Sequence, residues 1–379
     1  MRIVLLTTDS REHFGDYQNP DPYFGTAPAA LLQGFANLPG AEIHIVSCVH
    51  QAVISPEKIA PNIFYHSLVV PKLGWMRTGF QGCIRAVRRK LQEIQPDIVH
   101  GQGTERDCAI CAVFSGFPNV LTIHGNMRSI AGINRSRAFS YIWLAARLEG
   151  FVLPRTDGVV CITNYTREAV KSLARRTWLL PNAVDQSFLE VTSSPNLADP
   201  PIGLCVGAIC FHKNQNDFIR ALGPLAAQKK FRIVFLGAVG KDAYGTEFLK
   251  LVRERPWCEF AGWAGREQLK DHLRKASFLA LPSREDNCPM VVLEAMAAGL
   301  PVLASNIGGV PDLIQPEITG LLCDPQKPET FATGVSRVLH NPALSARLAT
   351  TSKVEARARF HPQVIARGHL EIYHEVLAN

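Results

Sequence analysis

The densest group of residues that could do chemistry lies in the segment SREDNCPMVVLEAMAAGLPVLAS, residues 283–305. It follows an apolar run, Phe278–Pro282, that is typical of a buried strand. Pro289 suits the first position of a helix, because its φ is fixed near the helical value and it has no N–H to satisfy. The pattern therefore predicts a helix over Met290–Ala298, with Cys288 as its cap and a glycine at its end.

The start of this predicted helix is suited to phosphate. The N–H groups of Met290 and Val291 would point outward at the positive end of the helix dipole. Asp286 lies just before this end and Glu294 about one turn inside, and carboxylates accept hydrogen bonds from vicinal hydroxyls. The layout fits a nucleoside diphosphate sugar. In the alternative interpretation, Asp286 only caps the helix and Glu294 is a solvated surface residue.

Three further residues follow predicted strands. Lys213 lies in the loop after Gly203–Gly207, where it could neutralise a diphosphate. His124 ends the strand Val120–His124 and is expected to face a cleft between domains, and Gly25 ends the long loop after the first strand. Ligands bind beyond the carboxyl ends of strands in open α/β sheets, which favours a site here. Taken singly, the lysine is more often solvated and the histidine more often structural.

Apolar runs alternate with helical patterns along the whole chain, which indicates two doubly wound, Rossmann-like α/β domains with parallel sheets. We expect an N-terminal domain at 1–190, a C-terminal domain at 191–358 and a last helix at 359–379 that packs back toward the N-terminal domain. The Ser/Pro/Asn/Asp-rich stretch Thr192–Pro201 would be the linker. The predicted strands are Ile3–Thr7, Ile43–Ser47, Ile63–Leu68, Ile98–His100, Val120–His124, Val159–Thr163, Trp178–Pro181, Gly203–Gly207, Arg232–Gly237, Glu259–Gly262, Phe278–Pro282 and Val302–Ala304.

Composition narrows the class of protein. A chain of 379 residues with 47% hydrophobic and 19% charged residues is globular, neither disordered nor fibrous. No run approaches the ~20 apolar residues of a membrane span, and the N-terminus has the pattern of a buried strand, so we expect a cytoplasmic protein. The ten cysteines lie mostly in apolar runs. The Cys108–Cys111 pair lacks a partner pair, so neither a metal nor another cofactor is expected.

The net charge of +7 is a mild bias toward anionic partners. The segment Lys72–Lys90 combines cations with aromatic residues and would suit peripheral docking on an anionic membrane surface, at the inner face of the membrane, although an ordinary solvated helix is the simpler interpretation. Nucleic-acid binding is disfavoured because the charge is spread out. The relevant residues are Lys72, Arg77, Arg85, Arg88, Arg89 and Lys90, with Trp75, Met76 and Phe80 beside them and Ile84, Val87, Leu91 and Ile94 facing the sheet.

Several ordered motifs resemble the retaining glycosyltransferases of family 4, whose GT-B fold consists of two facing Rossmann-like domains with a cleft between them. The resemblance covers most of the chain and is strongest from Pro181 to Pro325. It rests on LLPNAVD, VGAICFHK, DNCPMVVLEAMAAGLPV, SNIGGVPDLI and TGLLCDP, and in the first half on PDIVHGQG, TIHG and ITNYTRE.

The resemblance implies transfer of a sugar, with retention, from a nucleoside diphosphate sugar to a hydroxyl of a glycan, lipid-linked or small-molecule acceptor. It implies that Glu294 binds the ribose, Asp286 the transferred sugar and Lys213 the diphosphate, and that His124 lies near the reacting carbon. The other expected donor-binding residues are Gly25, Gly207, Asn287, Cys288, Pro289, Met290 and Val291.

Two departures from the family pattern keep an alternative open. Asp286 stands where the family usually has Glu, and Ala208 stands where it usually has Arg, which leaves open whether Arg284 or another cation replaces that charge. A non-catalytic nucleotide-sugar-binding protein is the alternative. An NAD-dependent Rossmann enzyme is disfavoured because the G-x-G-x-x-G fingerprint is missing.

Overall fold

The structure is a computed structural model that describes residues 1–192 and 199–378. The chain divides into a first unit, Met1–Ala183 with Pro362–Asn379, and a second unit, Val184–His361. Most of the predicted linker, Thr192–Pro201, lies outside the described residues.

The first unit is built on an eight-stranded sheet in the order β3-β4-β2-β1-β5-β6-β7-β8. Every pairing is parallel except that of β3 with β4. All strands except β3, a short exposed strand without an apolar run, were predicted. Their bounds are β1 Arg2–Leu6, β2 Glu42–Val49, β3 Lys58–Ala60, β4 Ile63–Val69, β5 Ile98–Gln102, β6 Asn119–Ile123, β7 Gly158–Cys161 and β8 Thr177–Leu179.

Seven helices of this unit connect or follow these strands. The long loop after β1 contains a one-turn helix and is fixed by a buried ion pair between Arg11 and Asp9, to which the Tyr65 hydroxyl also donates. The helices are α1 Arg11–Phe14, α2 Thr26–Ala36, α3 Gln81–Ile94, α4 Asp107–Val113, α5 Met127–Ile133, α6 Tyr141–Val152 and α7 Asn164–Val170.

The second unit has a six-stranded, wholly parallel sheet in the order β11-β10-β9-β12-β13-β14. Only the three-residue β14 was not predicted. The strands are β9 Ile202–Val206, β10 Arg232–Leu236, β11 Cys258–Gly262, β12 Phe278–Leu281, β13 Val302–Ser305 and β14 Leu321–Cys323. The helices are α8 Gln186–Leu189, α9 Gln215–Ala226, α10 Ala243–Arg253, α11 Arg266–Lys275, α12 Met290–Ala297, α13 Val310–Leu313, α14 Glu329–His340 and α15 Pro342–Arg359.

The last helix, α16 (Pro362–Leu377), belongs to the first unit and packs on α2. The contact is close because residue 34 has no side chain: a Cβ on Gly34 would lie 2.1 Å from the carbonyl oxygen of Pro362. Tyr373 of α16 is fully buried, and its hydroxyl lies 2.5 Å from Nδ1 of His100 in β5. The C-terminal helix therefore reaches the interior of the first sheet.

The segment Lys72–Lys90 differs in part from the prediction. The apolar face of α3 is buried at Ile84, Val87, Leu91 and Ile94, as expected. Trp75 and Phe80 are only 7% and 4% exposed, because both side chains belong to the hydrophobic core. The Trp75 ring also stacks on the ring of His50. The expectation that these two aromatic residues lie at the surface is wrong. No helix among the described residues combines the length and apolar character needed to span a bilayer.

Candidate functional site

Helix α12 begins at Met290, as predicted, but its N-cap is Pro289, one residue after the predicted cap. The expectation that Cys288 caps the helix is therefore wrong. No side chain caps this end, and within the described residues the N–H groups of Met290 and Val291 have no backbone acceptor. Because the helix follows β12, its free N–H groups lie at the C-terminal edge of the sheet, where they can bind an anion.

Asp286 and Lys213 are in contact, although they are 73 residues apart in sequence. Lys213 Nζ donates to Asp286 Oδ2 at 2.5 Å, and the Ser283 hydroxyl donates to the same oxygen at 3.2 Å. The side chains are 26% and 14% exposed, respectively, so a ligand can still reach both. The structure thus brings together two residues that the sequence placed only at the same sheet edge.

The glycine pair after β13 holds the backbone of Asp286. Gly308 has a φ of 57°, and a Cβ at this position would lie 2.1 Å from the Asp286 carbonyl oxygen. The N–H of Gly309 donates to that oxygen at 3.0 Å. Only glycine fits this close approach, so this turn positions Asp286.

Lys213 lies against Gly207, which follows β9. The lysine stem is 3.6 Å from the position of a Cβ on Gly207. Gly237, after β10, has a φ of 150°, and a Cβ there would lie 2.0 Å from the Gly207 carbonyl oxygen. The two loops therefore meet backbone to backbone, and the lysine extends across this junction toward Asp286.

Glu294 is buried in α12 with only 7% of its surface exposed, so the solvated-residue alternative is wrong. Burial raises its pKa to about 7, while the charge of Arg266 lowers the pKa and that of Asp185 raises it. Arg266 is ion-paired with Asp185. Among the described residues no hydrogen bond reaches the Glu294 carboxylate. Burying such a group is unfavourable unless a ligand or a proton satisfies it.

Arg284 does not simply replace the arginine that the resemblance expects at Ala208. Its guanidinium donates to Asp217 Oδ2 at 2.5 Å and to Asn214 Oδ1 at 3.0 Å. It also lies 4.2 Å from the centre of the Phe211 ring. The charge of Arg284 is thus already balanced by a carboxylate.

An apolar cavity of about 310 Å³ adjoins the Gly207 loop. It is lined by the loops after β9, β10 and β11, including Ala208, Ala238 and Trp263. Trp263 is 73% exposed, which is unusual for so large an apolar side chain. An exposed indole beside a cavity of this size offers a flat surface on which an aromatic ring can stack.

His124 directly follows β6 in the first unit and is half-buried. Its Nε2–H donates to Gln102 Oε1 at 2.9 Å. Burial lowers its pKa to about 4, and a hydrogen bond with Asn182 partly opposes this shift. The imidazole is therefore neutral at pH 7.

Gly25 is the N-cap of α2 and has a φ of 80°, with open space where a Cβ would be. The start of α2 and His124 line the same small pocket, which also contains Gln102, Asn182 and His369. Gly25 itself does not line this pocket, so it and His124 share only the first unit. Lys213, Asp286 and Glu294 belong to the second unit.

The cysteines of the C-x-x-C pair lie in the buried helix α4. A different group, Cys48, Cys83 and Asp107, brings three potential metal ligands within 4.8 Å of one another. All three are buried, and a hydrogen bond with Cys83 together with burial raises the pKa of the Cys48 thiol. The Cys48 thiol is therefore protonated at neutral pH.

Sequence reasoning missed three residues of these sites. Gln102 and Arg266 gave no signal, because a polar residue after a strand or at a helix start is ordinary until its partner is known. Trp263 was detectable as a tryptophan directly after a predicted strand.

Two models of known protein families match the chain. A model described as glycosyl transferases group 1 matches residues 190–355, and one described as glycosyltransferase family 4 matches residues 29–188. Together they match most of the chain.

The relatives are distant. An uncharacterised glycosyltransferase of Methanocaldococcus jannaschii is 27% identical over 175 residues, which are 46% of this chain and 45% of that protein. The glycogen synthase of Mycobacterium tuberculosis is 25% identical over 294 residues, covering 74% of this chain and 69% of the synthase. A D-inositol 3-phosphate glycosyltransferase of Streptomyces avermitilis is 42% identical over 84 residues, which are 22% of this chain and 18% of that enzyme.

Solved structures share the whole fold. Sucrose-phosphate synthase from Thermosynechococcus elongatus has a TM-score of 0.79 at 20% identity, covering 100% of this chain and 99% of that one. Anabaena HepE in complex with UDP-glucose has a TM-score of 0.71 at 17% identity, covering 99% and 100%. With its two parallel-sheet α/β domains of the GT-B type, the chain belongs to the group 1 glycosyltransferases of family 4.

Proposed function

We propose that the protein transfers a sugar from a nucleoside diphosphate sugar to a hydroxyl group of an acceptor, with retention of the anomeric configuration. The observation that carries this proposal is the group formed by the uncapped start of α12, the Lys213–Asp286 pair before it and the buried carboxylate of Glu294 within it. These parts match a ligand with phosphates between two hydroxyl-bearing groups.

In the proposed donor complex, the diphosphate binds at the N–H groups of Met290 and Val291 and at Lys213. The ribose hydroxyls supply the donors that Glu294 lacks, and Asp286 binds hydroxyls of the transferred sugar. The nucleobase occupies the 310 Å³ cavity and stacks on Trp263. The HepE complexes with UDP and UDP-glucose support this class of donor.

In the proposed reaction, the bond from the anomeric carbon to the diphosphate oxygen breaks while a bond to the acceptor oxygen forms on the same face. The acceptor proton passes to the departing diphosphate, so no protein nucleophile is needed. Lys213 and the helix dipole stabilise the charge that develops on the leaving group. No metal ion is required in this scheme.

The acceptor is held mainly by the first unit. His124, neutral at pH 7 because its pKa is about 4, contributes a hydrogen bond near the reacting carbon and no positive charge. Gln102 accepts the Nε2–H bond and Asn182 also forms a hydrogen bond with the ring, so both residues position the imidazole. Whether the acceptor is a glycan, a lipid-linked sugar or a small molecule depends on groups beyond these residues.

A non-catalytic nucleotide-sugar-binding protein is the second candidate. It is favoured by Ala208 in place of the usual arginine and by the engagement of Arg284 with Asp217. Such a protein would bind the donor but would not break its glycosidic bond.

A thermal-shift screen with UDP, GDP, ADP and their hexose derivatives tests the proposal. A ligand at 100 times its Kd stabilises the fold by about 2.7 kcal/mol. We expect one nucleotide series to raise the Tm and the Glu294→Ala variant to lose this response. Slow release of free sugar from the same donor would distinguish an enzyme from a binding protein, and NMR of the transferred product would report its anomeric configuration. No response to any nucleotide would contradict the proposal.

A further inference from the structure

The two helices that follow His124 form an exposed hairpin, α5 with α6 and their connection, which we call the 127–152 hairpin. Large apolar side chains at its tip are open to solvent: Phe139 is 80% exposed, Ile133 53% and Tyr141 50%. The Phe139 ring also contacts Trp143, with ring centres 5.3 Å apart. Large exposed apolar side chains gathered in one short segment are typical of an interaction surface.

Arginine is the only type of charged residue in the hairpin before Glu149. Between Asn126 and Glu149 the sequence has four arginines and no acidic residue. All four are exposed, and in the described part of the chain none has a carboxylate within ion-pair distance. Arg135 and Arg137 lie in the connection, whereas Arg128 and Arg147 lie on the helices, and Arg147 packs over the Trp143 ring at 5.0 Å.

The backbone of the connection is strained. Phe139 has a φ of 65° and Arg135 a φ of 43°, both in the left-handed region that side chains rarely adopt. Because the Phe139 side chain is exposed, no burial energy offsets the cost of this backbone conformation. Strain of this kind is concentrated at ligand-binding and switch segments.

The α3 segment provides a contrast within the same unit. Its aromatic residues Trp75 and Phe80 are buried, and Lys90 is ion-paired with Glu93. Its remaining cations, Arg85, Arg88 and Arg89, are exposed, but they stand on an ordinary polar helix face. The 127–152 hairpin thus combines exposed apolar rings and unpaired cations, whereas α3 offers cations alone.

We propose that the 127–152 hairpin docks the protein on the surface of an anionic lipid bilayer. Phe139, Ile133 and Tyr141 enter the boundary between headgroups and acyl chains, and the arginines bind lipid phosphates. Nucleic acid would be attracted by the arginines but would not require the exposed Ile and Phe side chains. The proposal does not depend on sugar transfer, because it concerns only binding of the full chain to lipid.

Flotation with vesicles of equimolar phosphatidylglycerol and phosphatidylcholine, and with phosphatidylcholine alone, tests this proposal. We expect binding only to the anionic vesicles, weakened by salt because the charges are screened. The variant Arg135→Glu/Arg137→Glu should lower the partition coefficient at least about tenfold, and Phe139→Ser should lower it without changing the net charge. The matched control is Arg88→Glu/Arg89→Glu in α3, which changes the net charge by the same amount and should retain binding.

Three outcomes would overturn the proposal. The first is recovery of the unmodified protein in the unbound fraction with both lipids, which would point to a protein or soluble occupant of the hairpin. The second is equal loss of binding in the hairpin and α3 charge variants, which would mean that only net charge matters. The third is unchanged binding of Phe139→Ser. Circular dichroism of each variant verifies that the fold is kept.

Discussion

Glu294 offers the sharpest test of the site, because its burial has a cost that can be measured without any substrate. Its pKa is raised from 4.5 to about 7, chiefly by burial. The substitution Glu294→Gln keeps the shape of the side chain but removes the ionisation. We therefore expect the variant to be more stable than the unmodified protein at high pH and equally stable at low pH.

The magnitude follows from the shift. Below pH 4.5 the carboxyl group is protonated in both the folded and the unfolded state, so no penalty applies. As the pH rises toward 7 the unfolded state ionises first, and the folded state progressively loses stability relative to it. A shift of about 2.5 units at 1.36 kcal/mol per unit corresponds to about 3 kcal/mol at pH 8 and above.

Urea unfolding from pH 4 to pH 9, followed by circular dichroism, measures this difference. Glu329→Gln is the control, because Glu329 is an exposed acid of the same unit, on α14. We expect a stability difference that is near zero at about pH 4 and grows to about 3 kcal/mol in favour of Glu294→Gln. A constant difference at all pH values, or the same pH dependence for Glu329→Gln, would refute the assignment of a buried, unsatisfied carboxylate.

The other predictions concern Lys213, Gly308, metal dependence and Gln102. Lys213→Ala should slow turnover by up to ~3 kcal/mol of activation free energy and Lys213→Arg by much less, because the site needs charge; a loss below threefold would mean that another cation acts there. Gly308→Ala should lower the free energy of unfolding in urea by about 1–3 kcal/mol, because its Cβ would lie 2.1 Å from the Asp286 carbonyl oxygen. Gly223→Ala is the control, because nothing lies within 4 Å of its Cβ position. Equal stability of the two variants would contradict the close contact between Gly308 and Asp286. Activity should survive EDTA, and a loss restored by magnesium would show that the helix start does not suffice. Gln102→Leu should lower kcat more than it raises the KM of the donor, because the His124 ring loses a hydrogen bond that orients it. The stability of the second unit should not change. An unchanged kcat would show that Gln102 does not contribute to the site.

Much of the fold was predictable because its signals are local. The start of α12 at Met290 was predicted from a buried strand, a proline and a following glycine. The buried face of α3 followed from helical spacing alone. Strands β3 and β14 were missed because three residues are too few to form a pattern.

The properties of the site depend on contacts between distant segments, which spacing does not encode. Glu294 is buried, and the charges that act on it, Arg266 and Asp185, come from other elements. Trp75 was expected at the surface and is buried because its ring stacks on His50, the residue after β2. The exposure of Phe139 could not be inferred either, since an apolar residue in a loop is more often covered.

The pairing of Lys213 with Asp286 changes how a variant at either position must be interpreted. Lys213→Ala removes a cation from the proposed diphosphate site and also leaves a half-buried carboxylate without its partner, next to a ligand of the same charge. The loss in the single variant therefore contains two costs, the missing attraction and the new repulsion. Only the first remains in Lys213→Ala/Asp286→Asn, and the Asp286→Asn variant measures any separate loss of a sugar contact. Because the two residues touch, their effects should not add, and the deviation from additivity gives the strength of the pair in the working enzyme.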